Sequence, residues 1–197
     1  MTTIVAATML EGSGDSIREV PIMCSDTLAT NEEGTKRTTD KVCSYYDPEG
    51  GEHAFIGIAG SMVLYVAMNA LFKNYPVDAP PLDFSNVSNV YASVQIIQKL
   101  LQEHYGFTPV IDPDGRPSFP AELLIITRSA IFHVPVGMEV SRVSYGAIGS
   151  GAKYALGYLQ GLMHDQVSIK GNHLEKSIWI AAQFDSKTSE SVQSFKV

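Results

Sequence analysis

Apolar and polar residues along the first sixty positions form short segments that predict β-strands. β-Branched and other apolar residues fill each segment, and glycine-rich or acidic stretches separate one segment from the next. The predicted strands are residues 3–8, 20–24, 38–46 and 54–59. The predicted turns between them are residues 11–16, 31–34 and 47–51. This part of the chain is therefore expected to build β-sheet.

The pattern then changes to the period of an α-helix. Apolar residues recur at three- and four-residue steps from Met62 to Leu71, and again from Val90 to Leu101. This spacing places the apolar side chains on one face, which predicts two helices that each pack on one side. Residues 108–120 contain four prolines, which cannot continue a helix, and they predict a loop.

The last third of the chain repeats the order of strands followed by helices. The predicted strands are residues 123–127, 130–136, 143–148 and, at the end, 192–197. One helix is predicted from Gly149 to Met163, and Ser168 is expected to cap another. Separate runs of strands and helices indicate an α+β fold. Two stacked sheets between two helical layers, a four-layer αββα sandwich, would accommodate this order in one domain, residues 1–197.

Charge and composition narrow the class of partner. The net charge is −7, the isoelectric point is about 5.1, and the basic residues are scattered along the chain. Phosphate neutralisation requires clustered Lys and Arg, so we expect no nucleic-acid partner. No apolar run approaches the roughly 20 residues of a membrane-spanning helix, and residues 1–8 lack the basic region of a secretory signal. We expect a cytoplasmic protein without a membrane partner.

Histidine and cysteine spacing does not indicate a metal site or a cofactor. None of the five histidines forms an HxxxH or HExxH pattern. Cys24 and Cys43 lie in predicted strands, where small thiols usually act as buried apolar groups, and a contact across neighbouring strands is open. We expect neither a metal nor a cofactor.

Thr2 offers candidate chemistry if Met1 is removed. A hydroxyl is a weak nucleophile at neutral pH and needs a base beside it. An α-amino group, with a pKa of roughly 7.7–8.0, is a base suited to that pH. A threonine at the first position carries both groups, and methionine aminopeptidase removes Met before small residues such as threonine. A threonine at position two is common, however, and is uninformative without further signals.

Such signals occur in order along most of the chain. The segments are Met1-Thr2-Thr3-Ile4-Val5, Ser25-Asp26-Thr27-Leu28-Ala29-Thr30, Thr39-Asp40-Lys41-Val42, Phe55-Ile56-Gly57-Ile58-Ala59-Gly60-Ser61, Leu124-Ile125-Ile126-Thr127 and Tyr145-Gly146-Ala147-Ile148-Gly149-Ser150-Gly151-Ala152-Lys153-Tyr154-Ala155. Together they resemble the N-terminal-nucleophile (Ntn) threonine peptidases, the family of the proteasome β subunits and of the bacterial peptidase HslV. The resemblance implies the αββα fold.

The resemblance also implies a role for each residue of an active site. Thr2 would be the nucleophile, and Lys41 would place a positive charge beside its hydroxyl. Asp26 would keep Lys41 charged and oriented, and the Gly57 N–H would stabilise the oxyanion. Ser150 would hydrogen-bond the amine or a nearby water.

Further positions would support this site or contact the substrate. Asp185 resembles the position that supports the hydrogen-bond network around the amine. Ala29 and Thr30 resemble positions that hold the substrate backbone and line the first specificity pocket. Thr39 and Ser61 would line the same pocket.

Assembly and partners follow from the same resemblance. It implies homo-oligomeric stacked rings that enclose the active sites and degrade unfolded polypeptides, with a possible ring-shaped ATPase that unfolds the substrates. Two departures bear on ring size and ATPase docking. Val42-Cys43-Ser44 replaces the basic residues that follow the lysine in the family, and a proline-rich loop replaces the helical segment before Leu123.

Two other functions stay open on the sequence. The chain can be a non-catalytic, ring-forming subunit of the same fold, an alternative that gains if Met1 is retained. It can also be an Ntn amidase that acts on small amides. Intact mass and peptide hydrolysis distinguish these from the peptidase.

Overall fold

We describe a computed structural model of the chain, and its described residues are 2–12, 17–30, 36–47, 53–111, 115, 117–137 and 139–197. The helices are α1 (Met62–Lys73), α2 (Val87–Tyr105), α3 (Ala152–His164) and α4 (Gly171–Phe184). The strands are β1 (Thr3–Glu11), β2 (Arg18–Asp26), β3 (Leu28–Thr30), β4 (Lys36–Thr38), β5 (Val42–Tyr46), β6 (His53–Ala59), β7 (Val110–Ile111), β8 (Pro117–Ser118), β9 (Glu122–Ile126), β10 (Ile131–Val134), β11 (Ser141–Val143), β12 (Tyr145–Gly149) and β13 (Val192–Lys196). Among the described residues no helix is long and apolar enough to span a membrane.

Two antiparallel sheets form the centre of the molecule. The first sheet has the strand order β12-β1-β2-β13, and the second has the order β11-β10-β9-β6-β5. Strands β1 and β2 form a long hairpin in which Ile4 lies opposite Ser25 and Glu11 lies opposite Arg18. Strand β12 pairs with the other side of β1, so β1 lies inside the first sheet.

Side chains of β1 alternate between two buried layers. Ile4 and Ala6 pack against the second sheet, whereas Val5 and Ala7 face helices α3 and α4. All four are fully buried, because the strand has neighbours on both of its faces. This burial explains why the segment has a nearly continuous apolar sequence instead of an apolar and polar alternation.

The helices cover the outer faces of the two sheets. Helices α1 and α2 pack on the second sheet through a cluster that includes Leu64, Met68, Val94 and Ile97. Helices α3 and α4 cover the first sheet in the same way, through Leu159 and other apolar residues. The predicted four-layer αββα sandwich is confirmed.

Several predicted boundaries need correction. Ser168 does not cap the last helix, since α4 begins at Gly171 with Lys170 at the capping position. The predicted strand 143–148 is interrupted at Ser144, where the chain passes from the second sheet to the first. The predicted loop 108–120 contains the short hairpin of β7 and β8. The predicted turns at 11–16, 31–34 and 47–51 lie wholly or partly outside the described residues.

The two cysteines lie in different sheets and face opposite helical layers. Cys24 packs with the side chains below α3 and α4, and Cys43 packs with those below α1 and α2. Both are free thiols. The possible contact between them across neighbouring strands is therefore ruled out by the topology.

Candidate active site

The β1–β2 hairpin brings Thr2 and Asp26 together. Because Ile4 lies opposite Ser25, the start of β1 is beside the end of β2, and the residues just outside the hairpin ladder become neighbours. Thr2 is 4% exposed and Asp26 is 0% exposed. A buried carboxylate is costly unless donors surround it, and the contacts of Asp26 meet that need.

One oxygen of Asp26 accepts three hydrogen bonds. The Thr2 hydroxyl donates to Asp26 Oδ1 at 2.8 Å, and the Thr3 N–H donates to the same atom at 2.7 Å. The Lys41 ammonium donates to it at 2.7 Å and forms a buried ion pair. Asp26 thus contacts Thr2 directly, whereas the sequence predicted it only as the partner of Lys41.

The other oxygen of Asp26 accepts two backbone donors. The Leu28 N–H and the Ser189 N–H each donate to Oδ2 at 3.1 Å. With five donors in total, the carboxylate is fixed in position and its negative charge is compensated inside the protein. Ser189 comes from the segment between α4 and β13, so this carboxylate connects the start of β1 with a segment near the end of the chain.

Lys41 immediately precedes β5 and is only 4% exposed. Its carbonyl accepts a hydrogen bond from the Ile58 N–H at 3.0 Å, which anchors its backbone to β6. Burial lowers the pKa of the Lys41 ammonium below its ordinary value, against the opposing attraction of Asp26 and Asp185. The amine therefore releases a proton more easily than an exposed lysine would.

A second carboxylate, Asp185, lies at the end of α4. The Ser150 hydroxyl donates to Asp185 Oδ2 at 2.5 Å, and the Thr188 hydroxyl donates to the same oxygen at 2.7 Å. Partial burial raises the pKa of the Asp185 carboxyl. These hydrogen bonds, together with the N–H and charge of Lys187, lower the pKa by more than burial raises it. The net result is a pKa below the ordinary value and a carboxylate that stays ionised.

Thr3 and Thr188 connect the two carboxylates. Their hydroxyl oxygens are 2.6 Å apart, Thr188 also donates to Asp185, and the Thr3 N–H donates to Asp26. A Cβ added to Gly151 would overlap Thr3 Oγ1, so the turn before α3 lies directly against this link. The predicted residues Thr2, Asp26, Lys41, Ser150 and Asp185 therefore lie in one connected network.

Gly57 occupies a different place from the one its predicted role requires. It lies within β6, opposite Val42 of β5 on one side and Leu124 of β9 on the other. A Cβ at this position would be 2.8 Å from Ile4 and 3.1 Å from Met23, so the glycine lets the two sheets approach. An oxyanion donor must face the substrate, and a buried strand interior does not allow this. The predicted oxyanion role of Gly57 does not fit its position.

The predicted substrate-binding residues are only partly described. Thr39 donates its N–H to the Thr27 carbonyl at 2.8 Å, and its hydroxyl lies 3.8 Å from the sulfur of Met62. Ser61 caps α1, because its hydroxyl accepts from the Leu64 N–H at 3.2 Å. The two residues thus lie at the same end of the sandwich as Asp26.

The remaining two substrate positions belong to β3. Ala29 lies opposite Arg37, and Thr30 lies opposite Lys36 in the pairing with β4. Their side chains are outside the described part of the structure.

The sequence did not single out Thr3, Thr188 or Ser189. Thr3 is adjacent to the predicted nucleophile, and no sequence feature distinguishes it from the other residues of the predicted strand. The other two belong to a hydroxyl-rich stretch that follows Asp185, from Ser186 to Ser191, and that also contains Lys187 and Glu190. Such a run between a helix and a strand resembles an ordinary polar connection, and only the fold shows that it lies against Asp26.

Comparison with protein-family models finds no match, and comparison with curated proteins finds none. Solved structures do match. The chain is 23% identical to BPH from Thiobacillus denitrificans in complex with epoxomicin, with a TM-score of 0.77 and coverage of 100% of this chain and 98% of that one. It is 18% identical to eukaryotic HslV from Trypanosoma brucei, with a TM-score of 0.62 and coverage of 99% and 98%.

A third similar structure is a Gly-1 mutant of Anbu from Hyphomicrobium sp. strain MC1. The identity is 13%, the TM-score is 0.68, and the match covers 100% of this chain and 81% of that one. At these identities the likeness shows the fold. The chain has the αββα fold of proteasome-like, Ntn-type proteins, as its sheet order and helical layers indicate.

Proposed function

We propose that the chain is an N-terminal threonine endopeptidase whose nucleophile is Thr2 after removal of Met1. One observation carries the proposal above the others. The Thr2 hydroxyl and the Lys41 ammonium both donate to the same oxygen of Asp26, at 2.8 and 2.7 Å, in a buried position. A hydroxyl nucleophile, a neighbouring positive charge and a carboxylate that fixes both can together perform acyl transfer from a peptide.

The proposed reaction proceeds in two steps. Thr2 Oγ attacks the scissile carbonyl while its proton passes to the free α-amino group, directly or through a water. The C–N bond of the substrate then breaks, the leaving amine takes up the proton, and an ester to Thr2 remains. Water hydrolyses this ester, which releases the acid and restores the hydroxyl.

Lys41 and Asp26 would act on the nucleophile during the first step. The positive charge of Lys41 stabilises the negative charge that develops on Thr2 Oγ. Burial also lowers the pKa of Lys41, so its ammonium exchanges a proton more easily than that of an exposed lysine. Asp26, with five donors around it, holds both groups at fixed positions, so little reorganisation is needed when the substrate binds.

Ser150 and Asp185 would position and stabilise the α-amino group of Thr2. The Ser150 hydroxyl is held by Asp185 at one end of the turn that contacts Thr3. From there its oxygen can accept a hydrogen bond from the liberated amine or from a water. The ionised Asp185 carboxylate would favour the protonated amine that follows the attack.

The proposed oxyanion donor is Gly60, the residue that follows β6. Gly60 is exposed, directly precedes the N-cap residue Ser61, and therefore lies by the positive end of the α1 dipole. We assign the oxyanion to the Gly60 N–H in place of Gly57. Thr39 and Ser61, with Ala29 and Thr30, would line the adjoining substrate cleft.

The proposed substrates are unfolded polypeptides, and the proposed assembly consists of homo-oligomeric stacked rings that enclose the active sites. A ring-shaped ATPase is a possible partner. These points rest on the family resemblance of the sequence segments together with the shared fold. Multi-angle light scattering of the purified chain measures the assembly, and a monomer would contradict the ring.

Labelling with a peptide epoxyketone tests the nucleophile. The BPH structure contains epoxomicin, a compound of this class. We propose that epoxomicin forms an adduct with the mature form of this chain. Intact mass first verifies loss of Met1, and mass mapping then locates the adduct. Thr2→Ala should abolish both the adduct and the hydrolysis of fluorogenic peptides. Thr8→Ala, which changes a threonine further along β1, should retain both.

The results separate the peptidase from its rivals. An adduct on another residue would reject Thr2 as the nucleophile. A folded ring that has lost Met1 but neither reacts with epoxomicin nor cleaves peptides would be a non-catalytic subunit. Hydrolysis of small amides without peptide hydrolysis would indicate an amidase.

A further inference from the structure

Glu122 is an acidic residue that faces the layer between the two sheets. It begins β9 and lies opposite Ala59, the last residue of β6. Leu124 and Ile126 of the same strand pack in the layer between the sheets, so the two-residue period of a strand directs Glu122 to that layer as well. A carboxylate in such a place requires a polar partner, because its charge is expensive to bury alone.

The partner is the backbone of Gly149 at the end of β12. The Gly149 N–H donates to Glu122 Oε2 at 3.3 Å. Strand β9 belongs to the second sheet and β12 to the first, so this hydrogen bond connects the two sheets at the end where Thr2 lies.

Gly149 is in direct contact with Thr2. It has a φ of +93°, and a Cβ at this position would overlap the Thr2 carbonyl oxygen. It lies opposite Thr3 in the β1–β12 pairing, and the next residue is Ser150, which donates to Asp185. The placement of Gly149 thus determines the placement of both Thr2 and Ser150.

We propose that Glu122 is a positioning residue for the threonine peptidase reaction. It acts through Gly149: its carboxylate holds the turn at residues 149–151 against Thr2, so that nucleophile and Ser150 keep their relative geometry. The inference rests on the proposed function. A displacement of about 1 Å in a catalytic group can cost on the order of 10²-fold in rate, which sets the scale of the expected effect.

Two variants of Glu122 separate the hydrogen bond from the charge. Glu122→Gln keeps an oxygen that can accept from the Gly149 N–H, whereas Glu122→Ala removes the acceptor. Glu139→Ala, which removes an exposed carboxylate elsewhere on the chain, is the matched control. Epoxomicin titration counts the competent sites in each preparation, so that loss of folded protein does not affect the rate per site.

Fluorogenic peptide hydrolysis gives kcat and KM for each variant. For Glu122→Ala we expect kcat per titrated site to fall about 10- to 100-fold, with KM changed less than about threefold. Glu122→Gln and Glu139→Ala should stay within about threefold of the wild type. A normal kcat in Glu122→Ala would overturn the proposal, and so would equal impairment of Glu122→Gln, which would assign the effect to charge.

Hydrogen exchange of the Gly149 amide tests the contact without the need for activity. The proposal requires faster exchange in Glu122→Ala than in the wild type and Glu122→Gln, and unchanged exchange would overturn it even in an active enzyme. A wild-type chain that neither hydrolyses peptides nor forms the adduct would instead overturn the proposed function. In that case the exchange result alone decides whether Glu122 holds Gly149.

Discussion

Replacement of Asp26 by asparagine should destabilise the protein far more than replacement of its partner Lys41 by methionine. Asp26→Asn keeps the shape of the side chain but removes its charge and turns one acceptor oxygen into a donor. The carboxylate accepts three donors at Oδ1 and two at Oδ2. Whichever way the amide turns, its NH₂ group therefore faces donors instead of acceptors.

The structure sets the size of both effects. Removal of one partner of a buried ion pair costs about 3–5 kcal/mol, because the other charge is left uncompensated, and Lys41 is 4% exposed. If the NH₂ group takes the place of Oδ2, the Leu28 and Ser189 N–H groups lose their acceptor, and if it takes the place of Oδ1, the Thr3 N–H loses its acceptor. Each of these losses costs about 1–3 kcal/mol where the group stays buried. Lys41→Met leaves Asp26 with the Thr2 hydroxyl and three N–H donors. We therefore expect this variant to lower the free energy of unfolding by about 1–3 kcal/mol.

Denaturant unfolding at neutral pH measures the difference. The chain has a single tryptophan, Trp179, whose half-exposed ring provides the fluorescence signal, and circular dichroism provides an independent probe. Asp83→Asn is the control, since Asp83 is an exposed carboxylate that makes local hydrogen bonds, and it should cost less than about 1 kcal/mol. If Asp26→Asn costs no more than Lys41→Met, the account of the five-donor carboxylate is wrong.

Three further predictions use other parts of the network. Since burial lowers the pKa of Lys41 from 10.5, the unfolded chain binds more protons there between the two pKa values, so the free energy of unfolding should rise with pH in that window. Lys41→Met should abolish this rise in denaturant titrations, and its persistence would contradict the assignment. Gly151→Ala places a Cβ against Thr3 Oγ1 and should cost about 1–3 kcal/mol and lower peptide hydrolysis, whereas normal activity would contradict the contact. Burial raises the pKa of Cys24 to about 11 and of Cys43 to about 12, so neither thiol should react with a maleimide below pH 9 until the protein unfolds, as mass spectrometry can measure.

The layers of the fold were largely predictable from local patterns. The helical period between Met62 and Leu101 and the apolar runs of β1 and β9 each reflect burial against a neighbouring layer, because buried positions favour apolar residues. Boundaries were harder to predict where they depend on distant contacts. The chain leaves the second sheet at Ser144 because β12 pairs with β1, which lies far away in sequence.

The candidate site was predictable where a residue belongs to a recognisable segment. Such segments predicted Thr2, Asp26, Lys41 and Ser150, and the structure places these residues in one hydrogen-bonded network. The glycine that supplies the oxyanion N–H was ambiguous. Gly57 and Gly60 occur three residues apart in one segment, and a sequence does not reveal which amide faces the cleft. Contacts across the whole chain, such as the one between Thr3 and Thr188, depend on how α4 and β13 return to β1, and no local pattern encodes that return.

The position of Thr2 has a practical consequence for recombinant work. Its side chain is enclosed, and β1 starts at the very next residue with partners on both sides. An affinity tag fused ahead of it would convert the amine into an amide. The opposite terminus follows β13, an edge strand whose Lys196 pairs with Glu11. If Thr2 is the nucleophile as we propose, a purification tag belongs after Val197, and a chain tagged ahead of Thr2 is expected to fold but to hydrolyse no peptide.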